Sequence, residues 1–301
     1  MSQVKKAVIF LILANVIWGA GSPIFKWAFE SHIHPFTLGF FRFLIPTILI
    51  GFFYRRKLSV KMRDFPKIFL TSLCAITINI GFFFFGIEKT LSINAPIIGS
   101  SSPIFLIIGA ILFLRERPGK KVFIGNMLGI TGILLIIIEP LIQANRGGSV
   151  IGNIFLIISM LGAVTGAVLS KQLLKKYSSM TITFWAFFIG LVTFSPFFAN
   201  EVHLYGLSPQ LSLPAIIAIL FGGIFSSLIG YGCYYWGLKH IPASQTGIFA
   251  YIDPIAGVLI AAPLIHEYPN VFFLMGAILV FLGIFISEGR LHYHPFHKLI
   301  E

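Results

Sequence analysis

The chain has 301 residues, of which 57% are hydrophobic and only 11% are charged. Soluble domains carry about 25% charged residues, so this composition excludes a soluble domain and indicates a membrane protein. The net charge of +12 comes from short basic runs between apolar segments, a pattern that reports orientation in a membrane and not nucleic-acid binding.

Ten apolar segments follow one another along the chain. A helix needs about 20 mainly apolar residues to cross roughly 30 Å of hydrocarbon. The segments are 7–29, 35–54, 66–87, 92–114, 122–141, 150–171, 180–199, 213–237, 243–264 and 270–288. The links between them are too short for a soluble domain, so the sequence predicts an all-α polytopic membrane protein with ten transmembrane helices.

Basic residues are distributed unequally over the two sides that ten spans define. One side holds the termini and most of the Lys and Arg, whereas the other holds only Lys26, Lys89 and Arg146. By the positive-inside rule both termini are cytoplasmic. We therefore expect a multi-pass protein of the inner, or cytoplasmic, membrane.

The chain repeats a pattern of Pro, Gly and Glu at segment ends, where backbone geometry decides the residue. An ungapped comparison pairs Gly86 with Gly237, Pro103 with Pro254, Glu116 with Glu267, Pro118 with Pro269, Gly125 with Gly276 and Gly132 with Gly283. Lys26 corresponds more loosely to Lys171. Five spans per copy invert the second copy, which predicts inverted repeats over 1–145 and 146–290, with a cytoplasmic tail over 291–301.

Glycines spaced along the fifth and tenth segments present faces of small residues, which favour close helix contacts in membranes. They are Gly125, Gly129, Gly132, Gly276 and Gly283. These faces predict either a contact between the two repeats or the interface of a homodimer.

Several stretches together resemble the drug/metabolite transporter superfamily, EamA type, over nearly the whole chain. They are NVIWGAGSPIFKWAF, HPFTLGFFRFLIP, SINAPIIGSSSPIFLIIGAILFLRERP and ASQTGIFAYIDPIAGVLIAAPLIHEYP. The family's Trp-Gly pair falls on Trp18 and Gly19, its second-span arginine on Arg42, and its acid-proline pair on Asp253-Pro254. An aspartate stands where the family often has glutamate, which shortens the reach of that carboxyl. The resemblance implies two five-helix repeats and a secondary carrier that often exports amino acids or other metabolites.

Asp253 lies about ten residues into its span, where an ionised carboxylate is costly. Four roles are open to it: binding a substrate ammonium, carrying a coupling proton, serving as the structural partner of Arg42, or capping a helix break at Pro254. Arg42 in turn could bind a substrate carboxylate, pair with a helix end, or extend its charge to the interface.

Polar and aromatic residues of other spans complete the predicted substrate path. A buried amide needs partners, which favours Asn15, Asn79 and Gln245, whereas Ser and Thr often bond to their own helix. The predicted path consists of Asn15, Trp18, Arg42, Asn79, Ser101, Thr165, Tyr234, Gln245 and Asp253.

The sequence carries no phosphate-binding loop, no HExxH or GxSxG motif and no paired intramembrane acids. We therefore expect no enzyme, no catalytic residues, no cofactor and no metal site. The predicted function is secondary active export of small metabolites, amino acids or related amphipathic solutes, by alternating access, with protons as a candidate coupling ion. The alternatives are a carrier of the lipid flippase or scramblase type and a structural membrane protein that transports nothing.

Overall fold

The computed structural model describes residues 3–102, 104–105, 120–142, 148–241 and 247–287. Over these residues the chain is helical and forms no strand. Pro103, Glu116, Gln245 and the 291–301 tail lie outside them.

Ten helices follow the ten predicted segments in order. They are α1 (Gln3–Glu30), α2 (Pro35–Tyr54), α3 (Met62–Lys89), α4 (beginning as Asn94–Ser100), α5 (Lys120–Ile142), α6 (Val150–Leu173), α7 (Ser179–Tyr205), α8 (Leu213–His240), α9 (Ile252–Ile265) and α10 (Val271–Ser287). Within the described ranges, seven helices are long and apolar enough to cross a membrane. The helices α9 and α10 are shorter and apolar, and α4 is described only at its start. The prediction of an all-α polytopic membrane protein is confirmed.

The helix pairs repeat between the two halves of the chain. The first helix of each half packs on two helices of the other half. Helix α1 packs on α8 and α9, and α6 packs on α3 and α4. Because α1 corresponds to α6, α3 to α8 and α4 to α9, the two groups are interchanged by the repeat. We call α1, α8 and α9 the first bundle, and α3, α4 and α6 the second bundle.

The glycines of α5 and α10 show that the repeats are inverted. A Cβ on Gly132 would lie 2.6 Å from the carbonyl oxygen of Gly276, and one on Gly283 would lie 2.5 Å from that of Gly125. The sequence comparison pairs Gly125 with Gly276 and Gly132 with Gly283. Gly132 therefore touches the counterpart of Gly125, and Gly125 touches the counterpart of Gly132. Equivalent helices that cross in this antiparallel, reciprocal way are related by a two-fold axis perpendicular to them. The glycine faces therefore join the two repeats within the chain.

Candidate transport cavity

A cavity of about 270 Å³ lies between the two bundles. Side chains of α1, α3, α4, α6, α8 and α9 line it, and α2 adds Arg42. Polar and aromatic lining side chains include Asn15, Trp18, Ser22, Arg42, Asn79, Ser102, Ser159, Ser226, Tyr231, Tyr234 and Asp253. Most of the remaining lining residues are apolar, which is typical of a small-molecule site with a few oriented polar groups.

Two π-helical stretches bring polar groups to this cavity. They span Leu73–Ile78 in α3 and Phe221–Tyr231 in α8, and α3 and α8 are counterparts in the two repeats. A π-helical turn takes in one more residue than an α-helical turn and is frequent at functional sites. Asn79 follows the first stretch directly, and Ser226, Ser227 and Tyr231 lie within the second.

The guanidinium of Arg42 is buried and is held by neutral groups. Its Nε donates to Ser227 Oγ at 3.0 Å and its Nη2 to Ser226 Oγ at 2.9 Å. Its central carbon lies 4.9 Å from the ring centroid of Phe25 and 5.6 Å from that of Phe84. Of the described residues, none places a carboxylate within 4 Å of it. The interpretation of Asp253 as the ion partner of Arg42 is therefore not supported, and no acid in the described ranges forms an ion pair with the guanidinium that lines the cavity.

The carboxyl of Asp253 lies in the first turn of α9 and also lines the cavity. Its Oδ1 is buried and has no hydrogen-bond partner in the described part of the chain. The positive end of the helix dipole at the start of α9 favours a negative group at this position. An acceptor held there without a donor is suited to receive a proton or a substrate ammonium.

Gly19 explains how Asp253 reaches this position. A Cβ on Gly19 would lie 2.3 Å from the carbonyl oxygen of Asp253 and 2.8 Å from its Cα, so only glycine permits this approach of α1 to α9. Gly257, one turn further along α9, lies against the carbonyl oxygen of Gly19 and against Pro96. Gly19 of the Trp-Gly pair thus permits the α1–α9 contact that places the carboxyl.

Trp18 forms an aromatic wall next to these groups. Its Nε1 donates to the carbonyl oxygen of Ser226 at 3.1 Å, within the π-helical stretch of α8. Its ring centroid lies 4.9 Å from that of Tyr231 and 5.0 Å from that of Tyr234. Together the three rings offer flat apolar surface with polar edges, which suits an amphipathic solute.

Asn79 connects the two bundles across the cavity. Its Nδ2 donates to the carbonyl oxygen and to the Oγ of Ser159, both at 3.0 Å, and its Oδ1 accepts from the hydroxyl of Tyr231 at 3.3 Å. Asn15 instead donates to the carbonyl oxygen of Leu11 in its own helix, at 2.6 Å.

The sequence profile of the EamA-like transporter family matches residues 5–138 and 150–288, one copy in each half of the chain. This chain belongs to the EamA-like transporter family. It is therefore a multi-pass membrane protein of the transporter class, and its two EamA copies agree with the inverted repeats described above.

The similarity of this chain to its relatives extends over nearly its whole length. An uncharacterized transporter of Archaeoglobus fulgidus is 25% identical over 296 residues, covering 96% of this chain and 99% of the relative. The uncharacterized transporter YetK of Bacillus subtilis is 24% identical over 297 residues, covering 93% and 86%. A solved crystal structure with 15% identity covers 96% of this chain and 99% of its own, at a TM-score of 0.64, which shows a shared fold.

Six residues of the predicted substrate path line the cavity: Asn15, Trp18, Arg42, Asn79, Tyr234 and Asp253. Two others lie elsewhere. Ser101 is fully buried and donates to the carbonyl oxygen of Ile98, and Thr165 is on the exposed face of α6. The eighth and ninth segments are joined through residues outside the described ranges, which include Gln245.

Residues near Ser101 and Thr165 line the cavity in their place. Ser102 lines the cavity beside α4, and Ser159 and Ala163 line it from α6. Ser159 and Ser22 do not belong to the path predicted from the sequence. Their signal is their place on the same helix face as other lining residues: Ser22 lies one turn from Trp18, and Ser159 lies one turn from Ala163.

Proposed function

We propose that this EamA protein is a secondary carrier that exports small amphoteric metabolites, amino acids or related amphipathic solutes, by alternating access. The observation that carries the proposal is that Arg42 and Asp253 line one cavity without pairing with each other. A buried guanidinium recognises a carboxylate through two parallel hydrogen bonds. The carboxyl of Asp253 recognises an ammonium, and Trp18 and Tyr234 cover the apolar part of such a solute.

The two bundles supply the motion that a carrier needs. In inverted-repeat transporters the substrate site lies at the repeat interface, and rocking one unit against the other exposes it to alternate sides. Here the cavity lies between two bundles that the repeat interchanges. Such a pair has two equivalent ways to tilt, each of which opens the cavity on one side.

Asp253 is our proposed coupling group. An oxygen acceptor without a donor in a low-dielectric site is costly, and either a proton or a substrate cation removes that cost. Since one occupant excludes the other, an inward proton gradient would drive outward movement of the substrate. We place the protein in the cytoplasmic membrane with both termini inside, in agreement with the distribution of Lys and Arg.

Val168 favours a second candidate function, a carrier of lipid-like molecules. This residue lines the cavity and is 45% exposed. A cavity wall that is also lipid-facing would permit lateral entry of an amphipathic molecule from the bilayer.

Flux in proteoliposomes tests both functions. A panel of radiolabelled amino acids with and without a pH gradient, beside a fluorescent phospholipid assay, identifies the solute class. Arg42→Gln and Asp253→Asn should each abolish most of the amino-acid flux, while Arg56→Gln and Glu30→Gln, at exposed positions, serve as matched controls. Phospholipid movement without amino-acid flux would replace the first proposal by the second.

A further inference from the structure

Two lysines occupy corresponding places in the two repeats. Lys26 Nζ, near the end of α1, donates to the carbonyl oxygen of Glu88 at the end of α3, at 3.0 Å. Lys171 Nζ, near the end of α6, donates to the carbonyl oxygen of Ile241 at 2.7 Å and also to that of Leu238, at the end of α8. Thus the first helix of each repeat caps the third helix of the same repeat.

The helix ends that receive these lysines are also alike. The last turn of α3 closes with Thr90 N donating to Gly86 O at 2.9 Å, and that of α8 closes with Ile241 N donating to Gly237 O at 2.9 Å. Thr90 and Ile241 both have extended backbones, so both helices stop there. Carbonyl groups at a helix C-terminus lack intrahelical donors and carry a partial negative charge, which is the site that a lysine ammonium prefers.

Each lysine bridges the two bundles. Lys26 belongs to the first bundle and donates to the second, whereas Lys171 belongs to the second bundle and donates to the first. Since α1 and α6 run in opposite directions through the membrane, the two bridges lie on opposite faces. The cavity separates the same two bundles between these faces.

The lysines also lie where the cavity lining ends. Ser22 lines the cavity one helical turn before Lys26, and Ala167 lines it one turn before Lys171. Residues four apart share a helix face, so each ammonium lies on the cavity side of its helix, just beyond the lining. Leu238, whose carbonyl accepts from Lys171, itself lines the cavity.

The Lys26 face carries a second contact between the bundles. Glu267, in the link after α9, accepts at Oε2 from Ser92 N at 2.7 Å, Ser92 Oγ at 2.7 Å and Ile93 N at 3.3 Å. These donors precede α4 of the second bundle. The bridge at Lys26 is therefore part of a wider closure of that face.

We propose that Lys26 and Lys171 are positioning residues that close the two mouths of the cavity, one on each face of the membrane. Each bridge is broken when its own mouth opens, and the other bridge is kept. The inference concerns the gates and not the solute; it rests on the alternating access of the proposed function. An ammonium bonded to helix-end carbonyls is suited to this role because water can replace those carbonyls when the bundles separate.

Side-selective labelling of the cavity tests the proposal. Cys74 and Cys233 are replaced by alanine, Ala163→Cys is introduced in the cavity wall, and a membrane-impermeant maleimide is applied to either face of sealed vesicles. Lys26→Met keeps the length of the side chain but removes the donor and the charge. It should raise labelling from the Lys26 face by about two- to fivefold, the range expected from the weak interaction of a cation with a helix C-terminus. Lys171→Met should raise labelling from the opposite face only.

Matched controls are available on the same two faces. Lys89→Met and Lys175→Met remove exposed lysines near Lys26 and Lys171, respectively, and should leave both labelling rates unchanged. Lys26→Arg and Lys171→Arg retain a cationic donor and should restore closure. A variant that is merely destabilised would be labelled faster from both faces, and that result, or no change from either face, would overturn the proposal.

The readout is independent of transport. Side-selective labelling in a protein that carries none of the tested solutes would retain the two gates and reject the proposed substrate class. Normal flux with labelling that does not depend on the side would retain the carrier and reject the gates.

Discussion

Gly132 of α5 and Gly276 of α10 pack backbone against backbone. A Cβ on Gly132 would lie 2.6 Å from the carbonyl oxygen of Gly276, and one on Gly276 would lie 2.9 Å from that of Gly132. Because the fifth and tenth helices are counterparts, this contact lies near the two-fold axis that relates the repeats. A single methyl group added here would meet the backbone of the other half.

We expect Gly132→Ala to lower the thermal stability of the detergent-solubilised protein. Alanine is favoured over glycine in a helix by about 1 kcal/mol, but the new methyl meets backbone atoms that cannot move aside, and overpacking typically costs about 1 to 3 kcal/mol. Gly99→Ala is the control, since nothing lies within 4 Å of a Cβ there. Equal melting temperatures for the two variants would contradict the close contact.

The orientation of the chain gives a second prediction. Ten spans with cytoplasmic termini place the link before Ser149 outside and the C-terminus inside. A reporter that is active only outside the cell should be active when fused after Ser149 and inactive when fused after Ile300. A cytoplasmic reporter should show the reverse, and activity of both fusions on the same side would contradict the inverted repeats.

Glu267, in the link between α9 and α10, gives a third prediction. Burial raises the pKa of its carboxyl, although hydrogen bonds from Ser92 and Ile93 and the charge of Lys26 oppose the rise. The folded protein therefore holds this proton more tightly than the unfolded chain does. The stability that this proton contributes is present at low pH and is lost as pH rises from about 4.3, the ordinary value, through the raised pKa.

Glu267→Gln should remove that contribution to the pH dependence. We expect the difference in melting temperature between wild type and Glu267→Gln to change over the pH range just above the ordinary carboxyl pKa and to be constant above and below it. Glu30→Gln, at an exposed position, supplies the comparison. A difference that does not vary with pH would show that Glu267 titrates alike in the folded and unfolded states.

The sequence revealed most of the architecture because backbone-determining residues mark it. Gly86 and Gly237 stand one turn before matching helix ends, and Gly132 and Gly276 lie at the crossing of equivalent helices. Such positions tolerate few substitutions, so the repeat remains visible where Leu and Ile carry no information.

The side chains that line the cavity are harder to predict from the sequence, for a physical reason. A helix surrounded by lipid and protein is apolar on every side, so periodicity does not show which face turns inward. Ser102 lines the cavity whereas Ser101 does not, and Thr165 is exposed whereas Ser159 of the same helix lines it. The π-helical stretches add to this, because an extra residue in a turn shifts the register without a sequence signal.

The partners of Arg42 and Asp253 could not be predicted from the sequence either. Both charges were visible in the sequence, but their pairing depended on which helices meet. The structure gives Arg42 two serine hydroxyls of α8 and leaves Asp253 Oδ1 without a donor among the described residues. Only tertiary structure distinguishes an ion pair from two separate ligand groups.

That separation decides the last prediction, which concerns Asp253→Asn. The amide keeps the shape of the carboxyl and removes its titratable charge. If Asp253 neutralised Arg42, the change would leave a buried charge unpaired at a cost of about 3 to 5 kcal/mol, and Arg42→Gln would restore stability. Since Arg42 is held by Ser226 and Ser227 instead, we expect Asp253→Asn to stay monodisperse and to melt near the wild-type temperature. Flux under a pH gradient should fall about tenfold, equivalent to about 1.4 kcal/mol.

The two single variants and the double variant are compared in melting and in proteoliposome flux, with Glu30→Gln as a control. Wild-type flux in Asp253→Asn would remove this carboxyl from the mechanism, and a collapse in stability that Arg42→Gln rescues would restore the ion pair.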